Sequence, residues 1–174
     1  FFFLLLPPLP LSPLFPPPSL FPSAVVDNNS QYALGSLQTP NEGESLYELA
    51  IPDLHIGKMS WDKEVGENYD IKIAVKRYKD AIEALLSRVD TSVVNRFLLP
   101  VGNDMINIDS KANVTTAGTP QSSDSRFGKM FMVAKNLLIE TIDRLSLIAP
   151  VDVVVVAGNH DNLSMFTLGE VLSA

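Results

Sequence analysis

The 174-residue chain contains no cysteine. Disulfides and thiolate metal sites are therefore excluded, and a metal site in it would use oxygen and imidazole ligands. A reducing compartment is compatible with that composition. Histidine is scarce, with only His55 and His160 present, so a mechanism needing a third imidazole is incomplete within this chain. Basic charge is short as well: 13 Lys and Arg stand against 20 Asp and Glu, a net charge of −7. That balance argues against a broad basic surface for nucleic acid, although a metal centre offsets the field locally. No strand candidate is followed by a G-x-G-x-x-G or Walker-type loop, which removes the usual nucleotide-binding readings.

A long unbroken apolar run is also missing. A membrane helix needs about 20 apolar residues without repeated breakers. The one candidate, FFFLLLPPLPLSPLFPPPSLFPS at 1–23, holds eight of the chain's 13 prolines. It lacks the basic start of a signal peptide. Residues 1–23 read as polyproline-type or disordered chain, an extension outside the fold. Residues 24–45 are rich in Asn, Ser, Gln, Gly and Glu and read as a linker. The chain begins with Phe rather than Met, as a fragment or partial frame would.

Order is expected from 46 to 174, where the chain alternates between two kinds of pattern. LYELAI (46–51), RFLLPV (96–101) and VDVVVVA (151–157) are short apolar runs of strand length. Between them, Ala74, Tyr78, Ile82, Leu85 and Val89 recur at helical spacing, with Asp70 as N-cap. A second helix is expected over 127–148. Its Met130, Phe131, Ala134, Leu137, Leu138, Ile142 and Leu145 are expected in the core, not at a cofactor. A last short helix is expected from about Leu163 to Leu172. The order predicts an α/β domain with a parallel sheet. The third run is apolar without alternation, which predicts a strand covered on both faces. Residues 109–126 read as a polar, turn-rich insert.

Each strand candidate is followed at once by polar residues. Asp53 and His55 follow the first, Asn103 and Asp104 the second, and Asn159, His160 and Asp161 the third. The carboxyl ends of parallel strands share one edge of a sheet, and ligands bind there. Three clusters far apart in sequence are thus expected to meet. In extended chain, residues i and i+2 point the same way, which predicts Asp53 and His55 on one ion. Carboxylate and imidazole suit Mn, Fe or Zn. Gly102 and Gly158 are expected to let the backbone turn beneath the site.

DLHIGK, VGNDMIN and VVVVAGNHD resemble the first three motifs of the calcineurin-like metallophosphoesterases. The insert NVTTAGTPQSSDSRFGK (113–129) is similar to a phage-encoded, DNA-repair exonuclease-like branch. The resemblance implies a layered sheet with helices on both faces, of which this chain supplies the N-terminal half. It implies a two-metal phosphoesterase acting on phosphomonoesters or phosphodiesters, nucleic acid among them. Two divalent ions are implied, Mn first, with Fe, Zn or Mg as alternatives. Asp53 and His55 would hold one ion, Asp104 would bridge, and Asn159 would bind the second. His160 would protonate the leaving oxygen, while Asp161 would orient His160 or cap the next helix. Arg126 is the candidate for a substrate phosphate, and Trp61 for stacking on a base or sugar.

Three features depart from the family pattern. Pro52 precedes Asp53, Asn103 intervenes between Gly102 and Asp104, and no later histidines follow. The implied remainder of the site would lie in a missing C-terminal portion, and this chain would be inactive alone. The implied setting is the cytoplasm, without a membrane. The competing reading is a non-catalytic fragment or interaction module with a remnant of the same fold.

Overall fold

The structure is a computed structural model and describes residues 45–173. The expectations for 1–23 and for almost all of the linker lie outside the described residues. Three parallel strands, β1 (Ser45–Glu48), β2 (Val94–Gly102) and β3 (Val151–Val156), form one sheet in the order β1-β2-β3. Four α-helices accompany them: α1 (Asp62–Val65), α2 (Ile71–Leu86), α3 (Phe127–Ser146) and α4 (Asn162–Ser173). A 3-10 turn at Thr91–Val93 leads into β2. The strand–helix alternation expected from the sequence is present, as a mixed α/β domain with a small parallel sheet. Among the described residues no helix is long and apolar enough to cross a membrane.

The helices form where expected because their apolar residues share one face. Ala74, Tyr78 and Ile82 of α2 are buried, as are Met130, Ala134, Leu137, Leu138 and Leu145 of α3. Asp70 caps α2, accepting the Ile73 N–H at 2.8 Å. Burial pushes the Tyr78 hydroxyl up to about 12, against the lowering influence of its Thr141 hydrogen bond.

β2 is the central strand. Phe97, Leu99 and Val101 are buried, and Tyr47 of β1 meets the Phe97 ring edge-on. The residues of β3 in register with these three are Val151, Val153 and Val155. The first two pack on the core, and Val155 faces Gly169 of α4.

The opposite face departs from the sequence reading. Leu46, Val154 and Val156 are 53%, 46% and 39% exposed, and Arg96 pairs with Asp152 there at 2.9 Å. The helices that contact the sheet lie on one face, and the other face is open among the described residues. The expected helices on both faces, and cover on both faces of β3, are thus not found among the described residues. The valine run is apolar on both sides, yet among the described residues β3 is an edge strand with a layer on one side only. Apolar composition reports what a strand is suited to touch, not what it touches.

Candidate metal centre

The site forms where the chain leaves the three strands. β1 ends at Glu48, earlier than expected, but its continuation stays paired with the continuation of β2. The N–H of Asp53 donates to Asn103 O at 3.0 Å, His55 N–H to Asp104 O at 2.9 Å, and Ile56 N–H to Met105 O at 2.8 Å. Asn103 N–H donates in turn to Val156 O at 2.6 Å. The three strand ends are therefore stitched together by backbone. The Tyr69 hydroxyl donates to Leu54 O and pins the first loop from the side of α2.

The backbone in these loops is not extended. Asp53, His55, Asn103 and Asp104 have φ of 58°, 48°, 49° and 68°. Such left-handed conformations are uncommon outside glycine, and Asn, Asp and His tolerate them best. This corrects the extended-chain argument that put Asp53 and His55 side by side. Asp53 is exposed and lies outside the cluster that does form.

That cluster is His55, Asp104 and His160, whose ligand atoms all lie within 4.8 Å of one another. The two imidazoles meet edge to face, centroids 4.7 Å apart. Asp104 is buried, and its Oδ1 accepts the His160 backbone N–H at 2.8 Å. Each ring is oriented by a carbonyl: His55 Nδ1 lies 3.0 Å from Asp53 O, and His160 Nδ1 lies 2.9 Å from Asn107 O. A carbonyl only accepts, so these contacts favour a proton on each Nδ1, and a neutral ring in that tautomer would offer its Nε2 lone pair to an ion. Two free imidazole nitrogens and a carboxylate are a donor set that first-row divalent ions bind. The ligand atoms lie within 4.8 Å of one another, whereas tetrahedral ligands at about 2.0–2.2 Å from an ion sit about 3.3–3.6 Å apart, so holding an ion would draw the widest pairs together. The residues fit a metal ion, with His160 among the candidate ligands.

Asn159 is exposed on the loop after β3, and Arg126 is exposed immediately before α3. Trp61 is 51% exposed, with the Lys63 ammonium 5.3 Å from its ring centroid. Asp161 is fully buried, and its expected roles are corrected. Its carboxylate neither holds the His160 ring nor caps α4. It accepts the Ile106 N–H at 2.9 Å and the Gly158 N–H at 3.2 Å, tying the second loop to the third. Burial raises its pKa, with a further rise from the Asp104 charge, and those two N–H groups only partly offset this.

The glycines have distinct roles. Gly102 turns the chain at φ 114°, where a Cβ would lie 2.0 Å from Val156 O. Gly158 is needed for close approach, since a Cβ there would lie 2.1 Å from Asp104 Oδ1. Sequence reading missed Asp109 and Asp124 in the insert. Asp109 accepts the Leu163 and Ser164 N–H groups at the start of α4, and Asp124 accepts the Ile71 N–H at the start of α2. No local pattern signals either, because each cap is more than 50 residues from its helix.

Comparison of the chain with protein-family models, with curated proteins and with solved structures finds no match in any of the three.

Proposed function

We propose that this chain carries the metal-binding part of a metal-dependent phosphoesterase. The observation that supports the reading is the meeting of His55, Asp104 and His160 from the loops after three parallel strands. A divalent ion held there would polarise a phosphoryl oxygen and lower the pKa of a bound water. The chain's own residues would bind and orient: Asp104 supplies a carboxylate at the centre, and Asn107 O holds the His160 ring through its Nδ1. Asp53 and Asn159, near the same loops, are the proposed additional ligands for a two-ion site, with Mn first and Fe, Zn or Mg as alternatives. His160 is the proposed proton donor to the leaving oxygen where it does not ligate. Arg126 is the proposed phosphate contact. The proposed substrates are phosphomonoesters or phosphodiesters, nucleic-acid ends among them, and the proposed setting is the cytoplasm. Further ligands beyond His55, Asp104 and His160 would complete the site.

The test is calorimetric titration of the full chain with Mn²⁺, beside an Asp53→Ala, Asp104→Ala double variant. Turnover of bis-p-nitrophenyl phosphate is read in the same samples. The expected result is binding by the wild type that the double variant loses, with little turnover. A folded wild-type chain that binds no Mn²⁺ would refute the reading. The open apolar face of the sheet favours a second reading, a non-catalytic interaction module, and that outcome would put it first.

A further inference from the structure

The insert between β2 and α3 holds a buried carboxylate that the metal reading does not use. Asp109 Oδ1 accepts the Ser164 N–H at 2.8 Å and the Ser164 hydroxyl at 2.5 Å. Its Oδ2 accepts the Leu163 N–H at 3.0 Å and the Thr116 hydroxyl at 2.6 Å. Thr116 Oγ1 accepts the Asn162 N–H at 3.0 Å. The first three N–H groups of α4 thus end on Asp109 or on the hydroxyl that Asp109 holds. A helix start is ordinarily satisfied by the residue just before it. Here that residue is Asp161, whose carboxylate is turned inward to Ile106 and Gly158.

The origin of the cap matters for the site. Asp109 lies two residues after Asn107, whose carbonyl orients the His160 ring. His160 itself lies two residues before the first residue of α4. One loop therefore fixes both the ring and the helix that follows it. A local cap would stabilise α4 equally well without setting its place relative to Asp104 and Asn107. We propose that Asp109 is a positioning residue, which holds the first turn of α4 against the loop after β2 and so delivers His160 to His55 and Asp104. This rests on the metal-centre reading for its consequence, though not for its geometry.

The test uses the full chain with Asp109→Asn, and Asp124→Asn as the control. Asp124 caps α2, its Oδ2 accepting the Ile71 N–H at 2.8 Å, and no hydrogen bond links it to 158–164 among the described residues. Two signals are read: Co²⁺ affinity from visible absorption, and the His160 ring Nδ1–H resonance in histidine-labelled protein. Asp109→Asn is expected to weaken Co²⁺ binding by about tenfold or more, the usual effect of losing a group that orients a ligand. It is also expected to shift or abolish the ring resonance. Asp124→Asn is expected to lower the melting temperature and leave both signals as in the wild type. An Asp109→Asn protein that melts lower yet keeps both signals would overturn the proposal. If the wild type binds no Co²⁺, the metal reading fails and the ring resonance decides alone: its loss in Asp109→Asn upholds the positioning role, and its persistence rejects it. Should Asp109→Asn not fold, Ser164→Ala removes one bond only and is judged by the same two signals.

Discussion

Gly158 and Asp104 show how closely the strand ends approach. With a Cβ at position 158 directed 2.1 Å from Asp104 Oδ1 and 2.3 Å from its backbone N, any side chain must push the buried carboxylate away. Gly158→Ala is expected to cost about 1–3 kcal/mol, the range for overpacking, and to weaken Mn²⁺ binding; urea unfolding and calorimetry on one sample check both. Asp109 gives the pH dependence. Burial alone would raise its pKa, but the Ser164 and Thr116 hydroxyls and the Leu163 and Ser164 N–H groups outweigh it and hold the carboxyl below its ordinary value. A lowered folded-state pKa adds stability above the unfolded value of about 3.9, and that stability is lost as pH falls through the folded pKa. The melting temperature of Asp109→Asn should therefore lie below wild type at neutral pH, with the gap closing in acid. A gap that stays constant to pH 3 would contradict the assignment.

At the scale of elements, α2 and α4 contrast. α2 carries its own cap in Asp70 and a clear apolar face. α4 borrows its cap from Asp109 and leaves Leu163 and Phe166 64% and 66% exposed. A helix of 12 residues is marginal in water even with good sequence support. A peptide of residues 70–87 is expected to show measurably more helix by circular dichroism than one of 161–173. Equal helicity would mean that α4 needs no tertiary cap. The same contrast explains what was readable. α2 and α3 were legible because burial follows spacing along one helix. The cap of α4 was not, because its partners are joined only when β2 and β3 pair.

For the whole molecule, the open sheet face governs behaviour. Leu46, Val154 and Val156 are exposed there, and β3 has an edge without a strand partner among the described residues. Exposed apolar edges and faces promote association. Val154→Lys with Val156→Lys is expected to raise the monomer fraction in sedimentation velocity without lowering the melting temperature. A wild-type chain that is monomeric and melts in one sharp transition at high concentration would contradict this.

Strand and helix positions, and the polar clusters after each strand, were determined by the sequence itself. Short apolar runs, helical spacing and Gly-Asn-His-Asp are local patterns, and local patterns act on neighbouring residues. Tertiary structure alone decided which side chains share the site. Left-handed backbone at Asp53 and His55 took Asp53 out of the cluster. The pairing of loops brought Asp104 under His160, and Asp161 turned inward while Asp109 took its place at α4. The physical reason is the same in each case. A buried carboxylate goes where unpaired N–H groups converge, and that convergence exists only after the strands have aligned.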